Sequence, residues 1–362
     1  MEKVNSHLLD ALQPDFAAAL CGPTGSGEFV STSVIVRQSR VKPLAFFLIG
    51  TLWRTLVLAW RTRPQWVLAG SGLTAPIAWL AARTSGAKAG VYLHGLDIVA
   101  PSRVYQWFWL PFIRRCDMAL VNSANTARLG EERGLRHQNM RMLHPGTDMP
   151  TLDPNAASIF RDRLGIAERP LLLSVGRLTQ RKGLVEFVER SLPMILAKQP
   201  DTLLVVIGDE ASDALRTRAG SERERILAIA RYEGIESSVR FLGRCDEATL
   251  SAAYQAANLH IFPVLDLVDD VEGFGMVALE SAAHGLPTVG FAVGGVPDAV
   301  QHGRTGTLVE SGNYAALSEA VIDQIEQAKS PTGIATCRAF ASDKAWPVFG
   351  NRLRNFLSSS HG

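Results

Sequence analysis

Short apolar runs alternate with amphipathic stretches along the chain, the pattern of a parallel α/β architecture. In the N-terminal half, Phe16–Leu20, Ser33–Arg37, Trp66–Ala69, Ala89–Leu93 and Met118–Val121 predict strands. In the C-terminal half, Leu171–Val175, Thr202–Ile207, Val239–Leu242, Leu259–Phe262, Thr288–Phe291 and Gly306–Val309 do the same. Leu184, Phe187, Val188, Leu192, Ile195 and Leu196 recur at helical spacing and predict one helix after the first of these. Val4, Leu8, Leu9 and Leu12 mark an amphipathic helix near the start. Between the halves, Pro145 to Arg169 is rich in Pro, Asp, Asn and Gly and breaks the pattern. The expected domains are therefore 1–148 and 149–330. After Ser330 the pattern predicts a proline-containing turn and a closing helix with Trp346, Phe349, Leu353 and Phe356.

Two N-terminal stretches are unusually apolar. Pro43 to Trp60 is near the lower length limit for a membrane span, but Arg54 in its middle is costly at a bilayer centre, so a buried or membrane-facing helix is expected. Arg37, Arg40, Lys42, Arg61 and Arg63 flank it. Arg103 to Arg115 interleaves Trp107, Phe108, Trp109 and Phe112 with arginines. Aromatic and basic residues together suit a headgroup interface, and a core helix with a solvated charged end is the plainer alternative for each stretch.

Composition narrows the class. A chain of 362 residues exceeds one ordinary core, and 47% hydrophobic with 20% charged residues is a globular balance. A net charge of +2 argues against nucleic acid as a partner. Four cysteines (Cys21, Cys116, Cys245, Cys337) lack metal or redox spacing, so a reducing cytosol is expected, and the polar, helix-like start leads to the expectation of no signal peptide.

Two motifs carry chemistry. Glu272 to Glu280 (EGFGMVALE) places two carboxylates around a glycine turn that runs into an apolar helix. Gly273 and Gly275 permit a sharp turn and close approach to a ligand, and the unpaired N–H groups opening the helix make an anion site. A nucleotide-sugar, with hydroxyls on both sides of its phosphates, suits that arrangement. Ser174 to Gly183 (SVGRLTQRKG) closes a predicted strand and opens its helix, and ligands of open α/β sheets bind at such ends. Gly176 and Gly183 keep its backbone open. Arg177 offers a planar fork for phosphate and Lys182 a compact charge, enough to neutralise a diphosphate; Arg181 is the weaker neighbouring candidate, with a solvated side chain as its alternative. A basic loop capping a helix is the alternative. Gly22 to Gly27 (GPTGSG) mimics a phosphate-binding loop, but Glu28 and Phe29 stand where Lys and Ser or Thr are required, so it reads as a surface turn.

Together the two motifs resemble those of family 4 glycosyltransferases, retaining enzymes of the GT-B fold, in which two Rossmann-like domains face each other across a cleft. The resemblance covers almost the whole chain and is strongest from Gly176 to Leu308. It implies that Arg177 and Lys182, in a G-R-x(4)-K-G loop, hold the donor diphosphate. It implies also that Glu272 contacts the transferred sugar, that Glu280 contacts the ribose, and that backbone near Phe274, Gly275 and Met276 meets sugar or phosphates. His94, in Val91 to Asp97 (VYLHGLD), matches a histidine facing the donor sugar, with Asp97 a possible acceptor contact. Pro145 to Asp148 matches a hinge turn, and Phe241 to Cys245 a base-binding loop, which assigns Arg244 and Cys245 to the base. Gly294 to Asp298 (GGVPD) matches the family's glycine turn, with Asp where Glu is usual. The closing helix with Trp346 resembles the segment that crosses back onto the first domain.

In the family a short strand and a Gly-Gly loop precede the first amphipathic helix, so the first domain is expected to lack its opening strand. The implied activity is metal-independent, cofactor-free retaining transfer of a hexose from a UDP- or GDP-sugar to a saccharide or lipid-linked acceptor. Envelope or exopolysaccharide synthesis at the inner membrane face would use it. The alternatives are a non-catalytic nucleotide-sugar binder or partner subunit, and a sugar-nucleotide epimerase.

Overall fold

A computed structural model describes residues 2–13, 15–30, 34–210, 220–327 and 330–359. They form two units, one of Met1–Gly146 with Trp346–Gly362 and the other of Thr147–Ala345.

The first unit holds β1 (Ala19–Pro23) and β2 (Ile35–Ser39), paired parallel, and a separate parallel sheet of β3 (Trp66–Ala69), β4 (Lys88–Leu93), β5 (Met118–Val121) and β6 (Met140–Met142) in that order. The first predicted strand is displaced to β1 because Phe16 N–H bonds Leu12 O at 2.9 Å, spending that residue on the end of the helix Glu2–Leu12. β2 likewise begins beyond its predicted start, and Ser33 lies outside the described residues. The turn after β1 places Thr24 and Gly25 in a tight bend and Gly27 in a 3-10 turn, Ser26–Phe29, in keeping with a surface turn.

The helices Glu2–Leu12 and Trp346–Ser359 pack on each other, with His7 stacked on Trp346 at 3.8 Å between ring centroids. Gly146 makes room for that indole, since a Cβ there would sit 2.4 Å from a Trp346 ring carbon. Trp66 Nε1 donates to Leu357 O at 3.2 Å, tying the last helix to β3. The helix Leu44–Thr62 connects β2 to β3 and packs along the helix Ala75–Ser85. Leu110–Arg115 packs on Ala75–Ser85 as well, with Phe112 edge-on to Trp79. Leu44–Thr62 is long and apolar enough to cross a membrane by length and composition. It joins two strands of one unit and is largely exposed. It buries only Thr51 and Ala59, which sets aside the core-helix alternative and leaves the membrane-facing one.

The second unit is a six-stranded parallel sheet of β7 (Leu171–Val175), β8 (Leu203–Ile207), β9 (Val239–Gly243), β10 (Leu259–Phe262), β11 (Thr288–Phe291) and β12 (Gly306–Val309). The order is β12-β11-β10-β7-β8-β9, so the direction of winding reverses between β7 and β10. Alternate residues of these strands bury on opposite faces. Leu172, Leu204 and Val206 join one core, and Leu171, Leu173, Leu203 and Val205 the other. Burial on both faces explains the unbroken apolar runs.

Two helical expectations are corrected. The helix predicted after β7 is two helices, Leu184–Arg190 and Leu192–Lys198, because Pro193 supplies no amide for a continuous ladder and suits the first turn of a new helix. The predicted proline turn after Ser330 is the start of the helix Pro331–Ser342, with Ser330 Oγ capping Gly333 N–H at 3.0 Å.

Candidate donor site at the strand reversal of the second unit

Open parallel sheets bind ligands beyond the strand ends where winding reverses. In the second unit those ends are the loops after β7 and β10, and both predicted motifs lie there. The loop after β7 leaves the strand through Gly176 at φ +138°, where a side chain would be strained. Arg177 is exposed on it, and Gln180–Lys182 forms a 3-10 turn. The turn is locked to the loop after β10: Leu265 N–H donates to Arg181 O at 2.8 Å, and a Cβ on Gly183 would lie 2.0 Å from Pro263 O. A shallow hollow opens beside it, lined among others by Gly176, Arg177, Thr179, Lys182 and Glu222.

Lys182 and Glu272 meet across these loops, Nζ donating to Oε2 at 2.8 Å. Arg181 Nη1 pairs with the same oxygen, and Arg181 Nε lies 2.9 Å from Asp270 Oδ1. Arg181 is therefore part of a buried ion-pair cluster, which sets aside the solvated alternative. Sequence reasoning ranked Arg181 below Arg177 and Lys182 and missed Asp270. The available signal was two cations adjacent on one loop and two carboxylates two residues apart on another. Lys182 Nζ also lies 4.7 Å from the centre of the Phe262 ring. Burial pulls the Lys182 pKa below its usual value, although the charge of Glu272 works against the fall. Burial alone would raise the Glu272 carboxyl, but Lys182 and Arg181 outweigh it and hold the pKa below the ordinary range.

Gly275 opens the helix Met276–Ala283 at φ +94°, with Phe262 against the position a Cβ would take. The amides of Met276 and Val277 are first-turn donors, with no carbonyl one turn earlier in the helix. The Phe274 side chain points into the core. Glu280 is half-buried one turn into the helix, beside the Tyr254 hydroxyl, which donates to Val277 O at 3.4 Å. Burial, and next the Glu280 charge, raise the Tyr254 pKa well above the usual phenol value. Behind the turn, Gly295 N–H donates to Glu272 O at 2.8 Å, and Gly294 and Gly295 lie flat against the carbonyls of Glu272 and Gly273.

Arg244 and Cys245 follow β9, two strands from β7, and are not in the Lys182–Glu272 cluster. Arg244 is exposed and Cys245 half-buried. The loops are nonetheless contiguous: Gly208 N–H bonds Gly243 O at 2.8 Å, and a Cβ on Gly208 would sit 1.9 Å from Gly176 O.

His94 belongs to the first unit, at the end of β4. Its Nε2 lies 3.0 Å from Gly70 O, which fixes the proton of the neutral ring on Nε2. Asp97 accepts from His94 N–H at 2.8 Å and Gly72 N–H at 3.0 Å, so it braces two loops of that unit. Burial lowers the His94 pKa, with Asp97 opposing the shift.

A family model described as "Glycosyl transferases group 1" matches residues 157–335, and one described as "Glycosyltransferase Family 4" matches residues 1–149. The GDP-mannose-dependent alpha-(1-6)-phosphatidylinositol monomannoside mannosyltransferase of Mycolicibacterium smegmatis is 29% identical over 310 residues, 79% of this chain and 75% of the relative. The D-inositol 3-phosphate glycosyltransferase of Corynebacterium aurimucosum is 31% identical over 257 residues, 68% of this chain and 58% of the relative. Among solved structures, Anabaena HepE in complex with UDP and glucose superposes with a TM-score of 0.79 at 20% identity, covering 99% of this chain and 95% of that one.

Proposed function

This chain belongs to the family 4 glycosyltransferases, nucleotide-sugar enzymes with two Rossmann-like domains of the GT-B fold, and on that premise we propose that it transfers a hexose to a saccharide or lipid-linked acceptor with retention of configuration. The observation that supports the reading best is the meeting of Lys182 with Glu272 at the strand reversal of the second unit. In this reading Lys182 and Arg177 take the diphosphate, and Gly176 lets the backbone approach it. The amides from Phe274 to Met276 and the Glu272 carboxylate receive the sugar. Glu280 takes the ribose, Arg244 and Cys245 flank the base, and His94 is assigned to the transferred sugar.

The acceptor hydroxyl oxygen bonds the anomeric carbon on the face from which the diphosphate departs, and its proton passes to a leaving phosphate oxygen. The cations neutralise the charge that builds on the leaving group, so the step asks for no divalent metal. The mannosyltransferase named above makes GDP-mannose the first donor to try. A lipid-linked acceptor at the cytoplasmic membrane face accords with the apolar surface of the first unit. Phe46, Ile49, Trp53 and Trp60 form one exposed stripe on Leu44–Thr62, and Trp107 and Phe108 are exposed at 79% and 65% on the turn leading into Leu110–Arg115. Both helices flank Ala75–Ser85, and basic residues border the stripe.

The test is a donor screen for transfer and slow hydrolysis, begun with GDP-mannose. Lys182→Gln and Arg177→Gln should each lower turnover, Lys182→Gln by about 100-fold. Full activity in both variants refutes the assigned roles.

A further inference from the structure

Two cations meet one buried carboxylate in the donor loop, and the function proposed above, on which this inference rests, employs only one of them. Arg181 reaches Asp270 through Nε at 2.9 Å and Glu272 Oε2 through Nη1, while Lys182 holds that same oxygen at 2.8 Å. The side chains of Arg181, Asp270, Glu272 and Lys182 are 14%, 8%, 12% and 17% exposed, so the four charges balance out of water.

A diphosphate that recruits Lys182 takes that partner from Glu272. A buried carboxylate stripped of its only counter-ion is strongly unfavourable, and without Arg181 that penalty would oppose ligand binding. Arg181 is placed to remove it. Its backbone is pinned to Leu265, Gly183 beside it fits directly against Pro263 O, and Asp270 holds its guanidinium from the far side. We infer that Arg181, anchored by Asp270, is a positioning residue: the standing counter-ion of Glu272 that frees Lys182 for the donor diphosphate.

The experiment titrates GDP and UDP into the full chain by calorimetry. Neither nucleotide carries the transferable sugar that Glu272 would contact, so affinity reports on the nucleotide and phosphate contacts. In Arg181→Gln the carboxylate keeps hold of Lys182, and nucleotide affinity falls about tenfold. Adding Glu272→Gln in that background removes the competing charge and restores most of the affinity. A role for Arg181 in mere loop integrity predicts no recovery, so a double variant that binds as weakly as Arg181→Gln overturns the inference. Should Arg181→Gln not fold, Asp270→Asn loosens the same anchor, and Asp270→Asn with Glu272→Gln gives the same comparison. Lys182→Gln separates the two readings. Undiminished binding in Lys182→Gln, or no binding of either nucleotide to the unaltered chain, sinks the donor-site assignment itself. Weak binding in Lys182→Gln without recovery in the double variant removes only the standing counter-ion.

Discussion

Gly295→Ala should disable the donor turn through one methyl group. Gly295 has φ −87° and ψ 3°, a conformation open to alanine, so backbone strain contributes little. Space decides the outcome. A Cβ at Gly295 would lie 2.1 Å from Gly273 O, 2.6 Å from Gly273 C and 2.7 Å from Phe274 Cα, where ordinary contact begins at 3.4 Å. All three are backbone atoms, so no side chain can swing aside, and the 272–274 segment must retreat by about 1 Å. Overpacking of this kind costs about 1–3 kcal/mol. For a domain of this size it lowers Tm by roughly 2–4 °C per kcal/mol. The same retreat stretches the 2.8 Å bond between Lys182 and Glu272 beyond hydrogen-bonding range and misplaces the amides that open the following helix. A displacement of about 1 Å at reacting groups is worth roughly 100-fold in turnover. Gly312→Ala is the control: at φ +79° with nothing within 4 Å, it should cost roughly 1 kcal/mol of stability and leave turnover intact. Scanning calorimetry and turnover with the donor found by the screen read both effects. A Gly295→Ala enzyme that melts and turns over like the unaltered chain would falsify the buttress argument.

His260 is fully buried in β10 with Nδ1 3.1 Å from Thr288 Oγ1, and burial, aided by the charge of Lys182, lowers its pKa to about 3. The unfolded chain takes a proton near pH 6.5 that the folded one refuses, so this contribution is complete above that pH and is lost as pH falls towards 3. Between pH 7 and 5 the chain should lose about 2 kcal/mol through this residue. Denaturant titrations of a folded His260→Gln variant showing the same pH slope would exclude it. Phe46→Ser combined with Trp53→Ser should abolish flotation with vesicles containing phosphatidylglycerol, since each buried side chain is worth roughly 1.5–3 kcal/mol. An unaltered chain that stays with the soluble fraction ends the membrane proposal. Asp97→Ala leaves two loop amides without their charged acceptor and should destabilise the first unit by about 3 kcal/mol. A change below about 0.5 kcal/mol by thermal melting would show that the brace is dispensable.

How legible each part was depended on where its constraint lies. Strands buried on both faces announce themselves as unbroken apolar runs, so Leu171–Val175, Leu259–Phe262 and Thr288–Phe291 match β7, β10 and β11 end to end; Gly306–Val309 matches β12 too, although that edge strand buries only Gly306. β6 escaped because it is three residues long, sits at a sheet edge and carries exposed Arg141 in its middle. The loops of the candidate site were legible as strand ends rich in glycine and charge, and Gly176 and Gly275 do take positive φ there. Their mutual geometry was not. Arg181 and Asp270 lie far apart in sequence, and no periodicity within either loop records that they touch. Local pattern treats a cation beside solvent-compatible neighbours as solvated. Only the reversal of strand order, which sets β7 against β10, converts that cation into the buried partner of two carboxylates. Sheet topology therefore dictates the electrostatics of this site, and a substitution in either loop should be judged by the charge it faces across the reversal.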